Sequence, residues 1–170
     1  MNGRKNRVRA RSTVVLMLLT LLVLLPQPAW AQMDEREGWV VIATEHDYPM
    51  LIDNVLAAAE RHKIGVVTRA SATVGAKAVL DTEIPGNTVI GLYHPRFAVP
   101  MLEASIAAGI EAPIRVYVTE NPDGSATLSY KMPSYVFAPY MDEGGAALAA
   151  LAAELDVLFA ALAADAAGQQ

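Results

Sequence analysis

The clearest pattern in the chain is an alternation of aliphatic and polar residues on both sides of a turn signal. In segment 114–119 aliphatic residues occupy every second position, and a similar two-residue period returns over 125–131. The sequence Asn121-Pro-Asp-Gly124 lies between them and has the residues that tight turns need. The pattern therefore predicts a β-hairpin with one aliphatic face.

Strand-like and helix-like stretches alternate through the rest of the mature chain. Further strands are predicted at 39–44, 65–70 and 88–94, and helices at 47–63, 73–80, 96–108 and 146–164. The run 39–44 is apolar at nearly every position, which is typical of a strand covered on both faces or of one at the centre of a sheet. Segment 132–145 is predicted to be an irregular, aromatic-rich connection.

This order of elements, β-α-β-(α)-β-(α)-β-β-α, predicts the fold class. Because the last two strands form a hairpin, we expect an α+β domain with a single, mostly antiparallel sheet and helices on one face. The last helix carries leucines at alternating spacings of three and four, at Leu148, Leu151, Leu155, Leu158 and Leu162. Since this apolar seam is under three heptads long, it favours packing on the chain's own sheet over a coiled-coil dimer.

Residues 1–31 have the pattern of a signal peptide. Five basic residues precede the uncharged apolar run 13–25, and Ala29-Trp-Ala31 matches the small-residue cleavage site. The run is too short for an ordinary membrane span, although an uncleaved N-terminal anchor is the alternative. No adjacent arginine pair precedes it, so we expect the general secretory route, to the periplasm of a Gram-negative source and to the medium otherwise. The remaining chain divides into a flexible N-terminus (32–38), one domain (39–164) and a tail (165–170).

Removal of the leader changes the charge of the protein. The whole chain has a net charge of −5, but five of its 13 basic residues and none of its 18 acidic residues lie in the leader, so the mature chain carries −10. Such an acidic chain is a poor partner for nucleic acid, and we expect no stable membrane association after cleavage. Cysteine is absent, which excludes disulfides, thiolate metal sites and cysteine nucleophiles.

The polar face of the predicted hairpin is the main candidate for a binding site. We expect it to carry Arg115, Tyr117, Thr127, Ser129 and Lys131, with Tyr135, Phe137 and Tyr140 just beyond. A cationic, hydroxylated patch with an aromatic rim can bind a small anionic or aromatic ligand. The same composition suits a homodimer interface or a solvated sheet face, and the residues alone do not separate the three.

Histidines provide the second candidate site. If strands 39–44 and 88–94 are neighbours, His46 and His94 meet at one sheet edge and could hold Zn²⁺ or Cu²⁺. Structural or surface histidines are the alternative, because no pair has the spacing of a helical metal site.

No other cofactor is evident in the sequence, and no nucleophile elbow or nucleotide-binding loop occurs. The absence of a catalytic signature favours a non-enzymatic binding or interaction domain over an unrecognised hydrolase or isomerase. In one version of this hypothesis the domain forms a dimer through its exposed sheet face.

Seven short features in order resemble one known family, the domain-of-unknown-function family numbered 302. They are Thr44–Pro49, Gly65–Val67, Leu92-Tyr-His-Pro95, Met101-Leu102, Ala108–Pro113, Asp123-Gly124 and Ser129–Pro133. The resemblance covers 39–164. Many members have a Gly-Asn-Pro-like turn where this chain has Tyr93-His94-Pro95.

The resemblance implies a fold similar to the half-repeat of the TATA-box-binding protein, without nucleic-acid binding. It supplies no catalytic residues, because the activity of the family is unsettled.

The leader yields the first testable prediction. Protein recovered from the exporting cells should begin at Gln32, because signal peptidase cleaves after the Ala-x-Ala pattern. Mass spectrometry of the intact protein and of its N-terminal peptide measures this directly. Recovery of the chain with residues 1–31 attached would instead show that the segment is retained as an anchor.

Overall fold

The computed structural model describes residues 33–169, so the predicted leader lies outside the described residues. Five strands are present: β1 (Trp39–Asp47), β2 (Gly65–Ala70), β3 (Asn87–Tyr93), β4 (Ile114–Glu120) and β5 (Ser125–Lys131). The α-helices are α1 (Tyr48–Arg61), α2 (Ala72–Leu80), α3 (Pro95–Ala104), α4 (Pro133–Phe137) and α5 (Met141–Ala166). Two 3₁₀ helices occupy Ala107–Glu111 and Ala138–Tyr140.

The strands form one open sheet in the order β1-β5-β4-β3-β2, and all neighbours are antiparallel. The predicted α+β class, with a single sheet and helices on one face, is confirmed. The predicted hairpin is also present, with Val118 opposite Leu128 in β4 and β5. The similarity to the TATA-box-binding-protein half-repeat stays a prediction.

Strand β1 is an edge strand, so its predicted central position is wrong. Its described partner is β5 on one side only. The apolar run has another cause: Val40 and Ile42 pack against the core, while Trp39 and Val41 alternate onto the opposite face of the sheet.

Helix α1 begins as the sequence predicts. The carboxylate of Asp47 accepts a hydrogen bond from the Met50 backbone N–H at 2.8 Å, and Pro49 occupies the first turn. The buried residues of the helix then recur on one stripe, at Leu51, Ile52, Val55, Ala58 and Ala59. This stripe lies across the sheet and forms the centre of the core.

Helix α5 packs against α1, α3 and α4 and completes the core. Leu148, Leu151, Leu155 and Leu162 are buried, so the leucine seam packs into its own domain as predicted. The regular helix starts after Gly145, whose φ of 54° and ψ of −148° are not helical. Within the described chain the stretch Pro133–Ala166 is long and apolar enough to cross a membrane by length and composition alone, a test that core helices also pass.

Two predicted boundaries need correction. The connection 132–145 is helical rather than irregular, because Pro133 starts α4 and α5 begins at Met141. The helix predicted over 96–108 ends at Ala104. Ser105 has an extended backbone, and its Oγ accepts the Ala108 N–H at 3.0 Å, so the chain turns into a separate 3₁₀ helix.

Two neighbouring positions of α5 test the packing of the core. Phe159 is 1% exposed and contacts the ring of Tyr130, whereas Val157 is 72% exposed. Phe159→Ala should lower the free energy of unfolding by about 3–5 kcal/mol, because it removes a buried ring and leaves a cavity. Val157→Ala is the control and should change it by less than about 0.5 kcal/mol. Urea denaturation measures both, and equal effects would contradict the packing described.

Candidate functional site

The side of the sheet that faces away from the helices carries the residues predicted for binding. We call it the outer face, formed by Trp39, Val41, Arg115, Tyr117, Thr127, Ser129 and Lys131. Strand register explains the grouping, because Tyr117 and Val41 both lie opposite Ser129, and Thr119 lies opposite Thr127. The two-residue period sends the intervening Val116, Leu128 and Tyr130 into the core.

The members of this face differ in how far they are exposed. Arg115 and Lys131 are exposed and Tyr117 is half-buried, whereas Thr127 and Ser129 are fully buried. The short side chains of β5 therefore lie in a trough between the longer residues of β1 and β4. A ligand or partner would meet Arg115, Tyr117 and Lys131 first.

The two buried hydroxyls of β5 are in different hydrogen-bonding states. Thr127 Oγ1 donates to Asn121 Oδ1 at 3.0 Å. Ser129 Oγ is the one buried side-chain polar atom of residues 33–169 without a hydrogen-bond partner. A buried hydroxyl without a partner costs about 1–3 kcal/mol, so this atom needs an explanation.

Tyr117 lies beside that hydroxyl and is itself affected by burial. Desolvation raises the pKa of the Tyr117 phenol above its ordinary value, and the nearby Tyr48 adds to the effect. The phenol is therefore neutral at physiological pH, so it can both donate and accept a hydrogen bond.

Trp39 belongs to this face and was not predicted as part of it. It lies opposite Lys131, whose Nζ is 5.6 Å from the centroid of the indole ring, and the Arg36 guanidinium is 5.4 Å from it. The alternation of Trp39 and Val41 with the core-facing Val40 and Ile42 is the sequence signal that could have placed it here. That signal is informative only once β1 is known to pair with β5.

The predicted aromatic rim is mostly absent. Tyr135 is 44% exposed and packs against Gly38, where a Cβ would collide with its ring. Phe137 is 1% exposed in the core, and the Tyr140 hydroxyl donates to Glu111 Oε1 at 2.9 Å. Phe137 ends α4 and Tyr140 ends the 3₁₀ helix that follows it, and these two helices lead the chain toward the helical layer. Only Tyr135 remains near the end of the sheet.

The structure does not bring His46 and His94 together. His46 lies near the end of β1 and His94 follows β3, and β5 and β4 separate these two strands. His94 caps α3, because its Nδ1 accepts the Arg96 backbone N–H at 3.0 Å. Over residues 33–169 no group of three or more His, Cys, Asp or Glu side chains is placed to hold a metal ion.

Fold and surface together define a small α+β domain with one open antiparallel sheet and one face free of described helices. The chain belongs to the DUF302 family, described as a domain of unknown function, whose model matches residues 40–163. This match confirms the family resemblance seen in the sequence and adds no activity to it.

The solved structures that match the chain include one that is similar over most of the domain. It is the crystal structure of an uncharacterized conserved protein DUF302 from Bacillus stearothermophilus, with a TM-score of 0.68 and 15% sequence identity. The match covers 76% of this chain and 98% of that chain, and at this identity it shows the fold alone. Among curated proteins, none matches the chain.

The two hydroxyls of β5 form a matched pair for mutation. Thr127→Val should lower the free energy of unfolding by about 1–3 kcal/mol, because it leaves the carbonyl of the buried Asn121 without its donor. Ser129→Ala should leave it unchanged or raise it, because no hydrogen bond is lost. Both are measured by urea denaturation of dilute protein. A loss of 1 kcal/mol or more (on the order of one hydrogen bond) in Ser129→Ala would mean that the hydroxyl has a partner within the single chain.

Proposed function

We propose that this chain is an exported, non-enzymatic binding domain, and that its outer face holds a second copy of the chain. The observation that carries the proposal is the outer face itself, which no described helix covers and which presents Trp39, Tyr117 and Arg115. The Ser129 hydroxyl lies beneath these side chains without access to solvent, so a second copy would contact the residues around it and not the hydroxyl. Export rests on the leader pattern and the family rests on the match described above.

The composition of the face favours a protein partner. Trp39, Val41 and Tyr117 are half-buried and lie on β1 and β4, the two strands on either side of Ser129 in β5. Trp, Tyr and Arg are enriched in protein interfaces and supply most of the residues whose truncation weakens binding strongly. Arg115, exposed beside Tyr117 on β4, adds the third of these residue types.

The charges of the sheet suit one relative orientation of two copies. Arg115 and Lys131 lie at the same end of the antiparallel pair β4 and β5, whereas the exposed Glu45 of β1 lies toward the opposite end of the sheet. A twofold axis that crosses the strands would place the cationic end of one copy over the acidic end of the other. This orientation avoids contacts between like charges. It also forms two equivalent contacts between the cationic end of one copy and the acidic end of the other.

Catalysis finds little support on this face. A serine nucleophile requires a base within hydrogen-bond distance, and Ser129 Oγ has no hydrogen-bond partner. With a mature charge of −10, nucleic acid is not the partner that we propose. A small anionic or aromatic ligand that contacts Arg115 and Tyr117 is the alternative occupant of the same face.

Mass in solution tests the proposal. Sedimentation velocity of the purified mature protein over a range of concentrations should show a dimer. Arg115→Glu and Tyr117→Ala should each raise its dissociation constant by about tenfold or more, since interface Tyr and Arg residues often contribute 2 kcal/mol or so each.

Lys77→Glu is the matched control, because it makes the same change of charge on the exposed surface of α2 and should leave the dimer intact. A wild-type protein that stays monomeric at every concentration contradicts the proposal. If that monomer instead binds small aromatic anions in an Arg115-dependent manner, the face has the alternative occupant.

A further inference from the structure

A groove lined by basic side chains lies at the end of the sheet opposite to Asp47, away from the outer face. The C-terminus of α1, the start of α3 and the outward side of α5 form its walls, and its volume is about 550 Å³. We call it the basic groove. It is lined by the basic residues His62, Lys63, His94 and Arg96, by the carboxylate of Glu154, and by apolar residues that include Phe97 and Val157. Two of the three histidines of this chain therefore meet here, in a pair different from the one expected from the sequence.

Most of the charges around the groove are already paired. Arg96 forms an ion pair with Glu154, and Asp165 lies 3.3 Å from His62 Nε2 and 2.8 Å from Arg61 Nε. Lys63 differs, because no ion pair to it is found within residues 33–169. The groove thus combines an unpaired ammonium with two imidazoles.

The backbone of Lys63 gives a second, independent observation. Its φ is 55°, in the left-handed region where glycine is the usual residue after a helix. The turn is a Schellman motif, in which the Ile64 N–H bonds to the Ala59 carbonyl at 2.9 Å. A lysine in this conformation is strained, and residues kept in strained conformations cluster at binding sites. Lys63 holds this conformation at a position that lines the groove.

Apolar side chains form the rest of the lining beside Glu154. Phe97 packs its ring against His94 in an edge-on arrangement, with ring centroids 6.4 Å apart, and Val157 is 72% exposed on the facing side. An exposed large aliphatic residue beside an unpaired cation suits a ligand with an anionic head and an apolar body.

We propose that the basic groove binds a small organic anion. Its carboxylate or phosphate head group contacts Lys63, with His62 and His94 on either side, and its apolar body lies along Phe97 and Val157. Charge-assisted hydrogen bonds hold the head group, and burial of the body supplies the remaining affinity.

Calorimetric titration of the purified mature protein tests the proposal with four probes. Hexanoate and hexyl phosphate share the apolar body and differ in the head group, hexanol lacks the charge, and inorganic phosphate lacks the body. At least one of the two amphiphilic anions should bind at one site per chain, and more tightly than hexanol or inorganic phosphate. Binding of neither anion, or equal binding of hexanol, overturns the proposal.

Lys63→Gly separates a binding role from a structural one. Glycine removes the ammonium and relieves the left-handed strain, so the thermal midpoint should stay the same or rise while anion affinity falls by about tenfold or more. Lys77→Gln, a lysine on α2 outside the groove, is the control and should leave affinity unchanged. Equal affinity in Lys63→Gly and wild type overturns the assignment of the head group to Lys63.

Val157→Asp tests the apolar wall independently. An added carboxylate beside the ligand body should weaken binding of both anions by repulsion and by loss of apolar contact, without unfolding an exposed position. Val79→Asp makes the same change at an exposed position of α2, outside the groove and the outer face, and should leave anion binding unchanged. Because sedimentation measures the dimer and calorimetry measures anion binding, failure of one proposal is distinguishable from failure of the other.

Discussion

The register of the β4–β5 hairpin is the constraint on which the rest of the structure depends. Because side chains alternate between faces with a period of two, pairing Val118 with Leu128 places the aliphatic residues of both strands in the core and the polar residues on the outer face. A slip of one residue would reverse both sets. The turn Asn121–Gly124 fixes that register, since the Asn121 N–H bonds to the Ser125 carbonyl and the Asn121 side chain accepts from Thr127.

The pairing of β5 with β1 determines which side chains lie together on the outer face. This pairing brings Trp39 to Lys131 and Val41 to Ser129, which forms the outer face from two distant parts of the sequence. The same strand order separates His46 from His94. It leaves His94 at the sheet end where α1 finishes, beside His62. One topological choice therefore determines both which residues meet on the proposed interface and which histidines share a groove.

The two proposed surfaces use different physical principles and lie on different parts of the domain. The outer face is an extended strip with a trough, where aromatic side chains and an exposed arginine favour a protein partner. The basic groove is concave, with an unpaired lysine and an apolar wall, which favours a small anion. Under the two proposals, the domain pairs with itself on one surface and holds a small molecule at another.

Local pattern in the sequence determined the α+β class, the hairpin, the cap of α1 and the shared face of Arg115, Tyr117, Thr127, Ser129 and Lys131, because periodicity and turn chemistry act over a few residues. Strand order, by contrast, depends on contacts between residues far apart in the chain, and it alone made β1 an edge strand and separated His46 from His94. Burial was likewise decided by tertiary packing: Phe137 entered the core, Ser129 lost access to solvent, and Lys63 came to border a groove with His94. No pattern of adjacent residues encodes such contacts, since they arise only when helices and strands pack together.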